Sequence, residues 1–269
     1  MEKNIDEAIK HLRMAAELGN EEAKAKLGDL ICSLDGSFSD LLKRFYNDGY
    51  NDAKSDKNNK YVKEEIKKVV SFEDIKVGDI IKFGNYLQNA NDKKEPIEWR
   101  VLAVEKRKAL LISQYALDCY EYNDKSEDIS WEQCIIRQWL NNEFINSAFT
   151  KDEQEMIQLS NVRPDVNTRY RTNQGKSTKD KIFLISVKEA EKYFKSNEER
   201  QCKLTKYVFD YRNHYYRYNQ WCGWLLRSLG VTSNLATYVE SDGTIDYYGV
   251  FINDARFGVR PSMWIKVNS

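Results

Sequence analysis

Residues 97–118 read IEWRVLAVEKRKALLISQYALD. Ile97, Trp99, Val101 and Ala103 alternate with Glu98 and Arg100, so one face is apolar and the other carries a charge pair. The basic turn Lys106-Arg107-Lys108 leads into a second apolar run from Ala109, and together the two runs predict a β-hairpin. The surrounding domain must then contain strands.

Working outward, VGDIIKFG (77–84) is a short apolar run bracketed by glycines and predicts another strand. SWEQCIIRQWLNNEFINSAF (130–149) has helical spacing, with Ser130 as N-cap and Gln133 at the capping-box offset. Thr150 with Glu153, and Ser186 with Glu189, mark two further helix starts. KIFLIS (181–186) reads as a strand between them. TYVESDGTIDYYGVFI (237–252) places Asp242-Gly243 between alternating runs, a strong hairpin signal. GVRPSMWIKV (258–267) is a closing strand whose Pro261 must sit at its start or at a bulge. Strands mixed with separate helices make the class α+β.

The first seventy residues differ. Ile5, Ala8, Ile9, Leu12, Ala15, Ala16 and Leu18 recur at helical spacing, Gly19-Asn20 breaks the run, and Ala23, Leu27 and Leu30 share one face of a second helix. The pair AIKHLRMAAELGNEEAKAKLGDL (8–30) resembles a SEL-type repeat, a relative of the tetratricopeptide repeat, and that resemblance implies a protein partner through residues 1–50. The polar stretch NDAKSDKNNK (51–60) suits a linker. The expected division is a helical appendage and linker over 1–71 and an α+β domain over 72–269.

Composition narrows the function. Lys+Arg and Asp+Glu are both 42, so the chain has no global attraction for nucleic acid or an anionic membrane. With 41% hydrophobic and 13% aromatic residues, it can fill a core. The N-terminus is charged from residue 2, no stretch reaches the ~18 apolar residues of a membrane span, and the five cysteines are widely spaced without a CxxC, so reduced thiols in the cytoplasm are expected. The two histidines, His11 and His214, lack metal-ligand spacing. No metal and no cofactor are expected, and no nucleophile elbow or phosphate loop is present.

Four blocks, VGDIIKFGNY with the 97–118 hairpin, WEQCIIRQWLNNEFINSAF, WCGWLLRSLG (221–230) and SDGTIDYYGVFINDARFGVRPSMWI (241–265), together resemble a bacterial domain family of unknown function that accompanies repeat modules. The last two also resemble the C-terminal half of C-type-lectin-like folds, in the flavour of formylglycine-generating enzymes and of the variable receptors of diversity-generating retroelements. That resemblance implies a C-type-lectin-like domain. In it Trp224, Leu225, Arg227 and Ser228 would be framework, and Gly258, Val259, Arg260 and Trp264 would close the fold. The chain lacks both the Glu-Pro-Asn or Gln-Pro-Asp tripeptide of calcium-dependent sugar binders and the active-site cysteine pattern of the enzymes.

The densest chemical feature is the crowding of Tyr207, Tyr211, Tyr215, Tyr216, Tyr218 and Trp221, interleaved with Arg212, Asn213, His214, Arg217 and Asn219. DYYGVFINDARF (246–257) has a similar make-up, with Tyr247, Tyr248, Asn253 and Arg256. Tyrosine offers rigid apolar area with a polar tip, which suits recognition. The expected function is non-enzymatic binding of a protein or glycan ligand on a face shared by these two segments. Two alternatives remain: an enzyme with Cys222 as reactive thiol and His214 as base, and a scaffold acting through the helical appendage.

Overall fold

In the computed structural model the described residues are 75–89, 93–212 and 220–267, with Arg212 described by its backbone alone. The helical appendage and linker expected over 1–71 lie outside them. The described residues carry β1 (Ile80–Leu87), β2 (Lys94–Glu105), β3 (Lys108–Ser113) and β4 (Asp118–Cys119), then β5 (Ser160–Val162), β6 (Thr178–Asp180) and β7 (Cys202–Lys203). After these come β8 (Trp221–Cys222), β9 (Trp224–Leu229), β10 (Leu235–Val239), β11 (Ile245–Phe251), β12 (Gly258–Val259) and β13 (Ser262–Lys266). Short helices stand between β4 and β5 and between β6 and β7, so the domain is α+β.

Two sheets organise it. The first is antiparallel in the order β1-β2-β3-β13. Its centre is the 97–118 hairpin, where Glu105 pairs with Lys108 across the turn. Ile97, Trp99 and Val101 are buried as the alternation requires. The alternation fails at Ala103, because the register shifts between Val101 and Ala103 and buries Leu102 in its place. Trp99 is fully buried, and its indole N–H donates to the Phe83 carbonyl at 2.7 Å. This satisfies the one polar atom of a large apolar ring.

The second sheet runs β11-β10-β9-β12-β4, antiparallel except for the β9–β12 pair. Asp242-Gly243 turns β10 into β11, and the Asp242 carboxylate accepts the Thr244 N–H at 2.8 Å. Pro261 is the second of the two residues between β12 and β13, where no ladder needs its missing N–H.

Two local expectations fail. The helix over 130–149 starts only at Ile135, with Cys134 as an N-cap that offers no side-chain bond, and it carries a π-helical segment over Leu140–Phe144. Ser130 instead accepts the Gln133 and Cys134 N–H groups on its carbonyl, forming a turn. KIFLIS is not a strand. Its residues 182–186 are buried, but only Phe183 bridges a neighbour, Ser262. Phe183 exchanges both backbone bonds with Ser262, and the Ile185 carbonyl accepts the Arg227 N–H. Side chains meet the rest: Asn141 accepts from the Lys181 and Ile182 N–H groups and donates to the Ile182 carbonyl, and an Arg227 guanidinium N–H donates to the Leu184 carbonyl. Apolar burial of a run does not require a ladder when side chains supply its hydrogen bonds. The caps at Thr150 and Ser186 are both full capping boxes, as expected.

Candidate ligand-binding face

The open edge of the second sheet is β11. Gly249 within it has φ 98°, and a Cβ there would stand 2.8 Å from the Ala236 carbonyl oxygen. At Gly230 a Cβ would lie 2.0 Å from the Tyr248 oxygen. The glycines therefore let the 230–231 turn press onto β11, where the Val231 N–H donates to the Tyr248 carbonyl at 2.8 Å. Asn167 donates to the Tyr247 carbonyl from outside at 2.8 Å. The edge is thus partly closed by the chain itself.

Its side chains are not closed off. Tyr248 and Phe251 are each 59% exposed, among the largest apolar exposures of the described residues. They border a shallow depression of about 560 Å³ lined also by Thr232, Asn234, Leu235 and Val250. The polar groups of that lining are turned on each other, with the Thr232 hydroxyl donating to Asn234 Oδ1 at 2.6 Å. Tyr170 meets the Tyr248 ring edge-on at 6.3 Å.

Tyr247 is held differently. Its hydroxyl donates to Glu191 at 2.8 Å and Arg169 lies 4.0 Å over its ring. Burial and the bond to Glu191 push its phenol up, so it is a neutral donor. Tyr247 is framework, not free contact surface.

The described parts of the two segments expected to share a face are mostly set apart. Tyr211 lies in the π-helical turn Val208–Arg212 beside β4, at the opposite edge of the sheet from β11. Four inter-strand steps of about 4.8 Å make roughly 19 Å between those edges. Only the end of the 246–257 segment crosses back. Phe257 packs on Tyr238 with centroids 4.5 Å apart and lies against Gly223, next to Trp221's strand. Trp221 is 37% exposed with Lys203 4.6 Å over its ring. Asn253 is exposed, and Arg256 is engaged with Asp254 at 2.8 Å, which holds the Asp254 carboxyl low. His214, Tyr215, Tyr216, Arg217 and Tyr218 lie outside the described residues, and so does the side chain of Arg212.

Sequence reasoning placed the 246–257 segment on the face without singling out Phe251, and it missed Thr232 and Asn234. The signal for Phe251 was Gly249, since a glycine inside a strand pattern marks a close approach of another backbone.

Cys222 is not placed as an attacking thiol. It is fully buried, and burial followed by its hydrogen bond to Cys202 pushes it well above its usual range. No helix among the described residues is long and apolar enough to cross a membrane.

Residues 106–267 match the model of a domain of unknown function, DUF6273, over more than half of the chain. No curated protein and no solved structure matches.

Proposed function

We propose that this chain, which belongs to the DUF6273 family of domains of unknown function, is a non-enzymatic recognition protein. Its ligand surface is the Tyr248–Phe251 rim and the depression beside it. The observation that carries the reading is the pair of large aromatics, each 59% exposed, on a strand whose backbone is pinned from both sides. Rigid backbone with exposed rings lowers the ordering cost of binding. Between a protein and a glycan ligand, the lining favours protein. It is mainly apolar, and its hydroxyl and amide are already bonded to each other, which leaves few groups for sugar hydroxyls.

The same reading takes the domain as C-type-lectin-like. Support comes from the order of its last elements: the WLLRSL strand β9, the β10–β11 hairpin and a closing Gly-Val-Arg strand. It takes residues 1–71 as a SEL-type helical appendage for a protein partner, on the pattern of 8–30. It places the protein in the cytoplasm, in keeping with its unpatterned cysteines.

The test is a random peptide display library panned on the full chain. Enriched peptides carry apolar anchors and lose about tenfold or more in affinity on Tyr248→Ser/Phe251→Ser, a loss of ~1.4 kcal/mol. Exposed substitutions of this kind shift stability by about 0.5 kcal/mol or less. Peptides that bind the double variant equally well sink the assignment. A glycan array probed with both proteins decides for sugar if binding appears there and vanishes in the variant.

A further inference from the structure

Among the described residues two arginines are buried, and they are served differently. Arg227, 4% exposed, meets Asp165 at 3.1 Å and also Glu189. Arg260, 2% exposed, meets no carboxylate among the described residues. Its Nε and Nη2 both donate to the Ser113 carbonyl, at 3.1 and 2.9 Å, and Nη1 has no hydrogen-bond partner among the described residues. Trp224 faces the guanidinium at 4.7 Å and Phe194 at 5.8 Å. A buried cation needs an anion, and two aromatic faces and one carbonyl are not one.

Two thiols lie within reach of its charge. Cys202 and Cys222 are directly opposed residues of the β7–β8 ladder, and both are fully buried. Two positions further along, the Leu204 N–H donates to the Gln220 carbonyl. Hydrogen-bonded pairs recur every second residue, so Cys202 and Cys222 are such a pair, with α-carbons about 5.5 Å apart, inside the ~4.4–6.8 Å span a disulfide bridges. A local shift of the short ladder must bring the β-carbons from ~5.5 Å to the ~3.8 Å the bond needs. Gly258 leaves room beside them, since a Cβ there would stand 3.1 Å from Cys222 Sγ.

We propose that Cys202 and Cys222 are a thiol–disulfide couple, with the guanidinium of Arg260 as its built-in counter-charge, oxidised by a low-molecular-weight disulfide. Burial pushes the Cys202 thiol up, but the hydrogen bond from Cys222 and the Arg260 charge outweigh it, and the net direction is down. Cys222 goes the other way and keeps its proton. The Cys202 thiolate attacks one sulfur of the small disulfide. That S–S bond breaks, and one thiolate leaves with the sulfur's electron pair. The leaving thiolate takes the proton of Cys222, whose sulfur then attacks Cys202 Sγ and expels the second small thiolate, which takes up a solvent proton. Counting the proton Cys202 gave to solvent on ionising, the protein loses two electrons and two protons, and one small disulfide becomes two thiols. A two-residue ladder opens locally at small cost, which gives the reagent entry. Once formed, the bond closes the whole stretch between Cys202 and Cys222, the tyrosine-rich stretch, into a covalent loop. The proposal is independent of the ligand-binding reading at β11.

The experiment equilibrates the folded full chain with graded ratios of reduced and oxidised glutathione, blocks free thiols, and maps peptides without reduction. The expected result is a Cys202–Cys222 linked peptide that accumulates as oxidised glutathione rises and disappears with dithiothreitol. Free Cys202 and Cys222 at the highest ratio in folded protein overturn the proposal. So does either residue pairing with Cys119 instead, or both ending as separate glutathione adducts. In Cys222→Ala the glutathione adduct stops at Cys202, and a folded variant with no adduct there removes Cys202 as the attacking sulfur. The wild-type map decides on its own if that variant does not fold.

Discussion

The two sheets solve the same problem by different means. The four-stranded sheet is built mostly from neighbours in sequence, and its core is large apolar side chains whose few polar atoms are met by backbone, as Trp99 is by Phe83. The five-stranded sheet interleaves distant segments: β12 stands between β9 and β4. Loops that cross it are pinned by buried polar side chains, among them Asn167, Gln174 and Arg227. Where strands are joined by tight turns, apolar alternation suffices. Where they are not, hydrogen bonds from side chains must fix the loops.

The largest expected effect tests the first sheet. Trp99→Ala removes a fully buried ring and should cost about 3–5 kcal/mol in a denaturant titration. A loss under 1 kcal/mol would show that this core is not the apolar one. Next comes the second sheet's charge. Arg227→Ala leaves Asp165 and Glu189 without their cation, and because both carboxylates are about one-quarter exposed the expected loss is reduced to roughly 2–3 kcal/mol. If Arg227→Met is as costly as Arg227→Ala, the charge rather than the packing of the stem carries the effect.

The two capping boxes then sharpen the contrast. Thr150 caps at an exposed site, and Thr150→Ala should cost about 1 kcal/mol. Ser186 is fully buried and also donates to Asp165 at 2.7 Å, so Ser186→Ala should cost about 2 kcal/mol. Equal losses would mean that the polar network adds nothing to the cap. The smallest effect is a pH dependence. Burial pushes the Cys134 thiol up from 9.0 to about 12. The folded state therefore holds a proton that the unfolded chain releases, so this stabilisation is full below pH 9 and declines as pH rises toward 12. Between pH 9 and 10 the wild type should lose about 1 kcal/mol more than Cys134→Ala. Parallel stability curves for the two would refute it.

The same contrast explains what could be read from the chain. The hairpins 97–118 and 237–252, the boxes at Thr150 and Ser186 and the position of Pro261 are local patterns, and all stand where the residues place them. KIFLIS reads wrongly because its partners, Asn141 and Arg227, lie about 40 residues away on either side. The site is split for the same reason. Tyr248 is legible as an exposed ring on a hairpin strand. That Tyr211 sits at the far edge depends on the non-local strand order, which no local spacing encodes.

Pro261 has one more consequence, for synthesis. The chain leaves the ribosome N-terminus first, yet β12 inserts within the five-stranded sheet and β13, after two intervening residues, completes the four-stranded one. Each is translated after every other strand of its sheet. Neither sheet can finish until residues 258–266 have emerged, so the strands made before them must wait for these two partners. A stop codon shortly before Gly258 would therefore unmake both sheets at once.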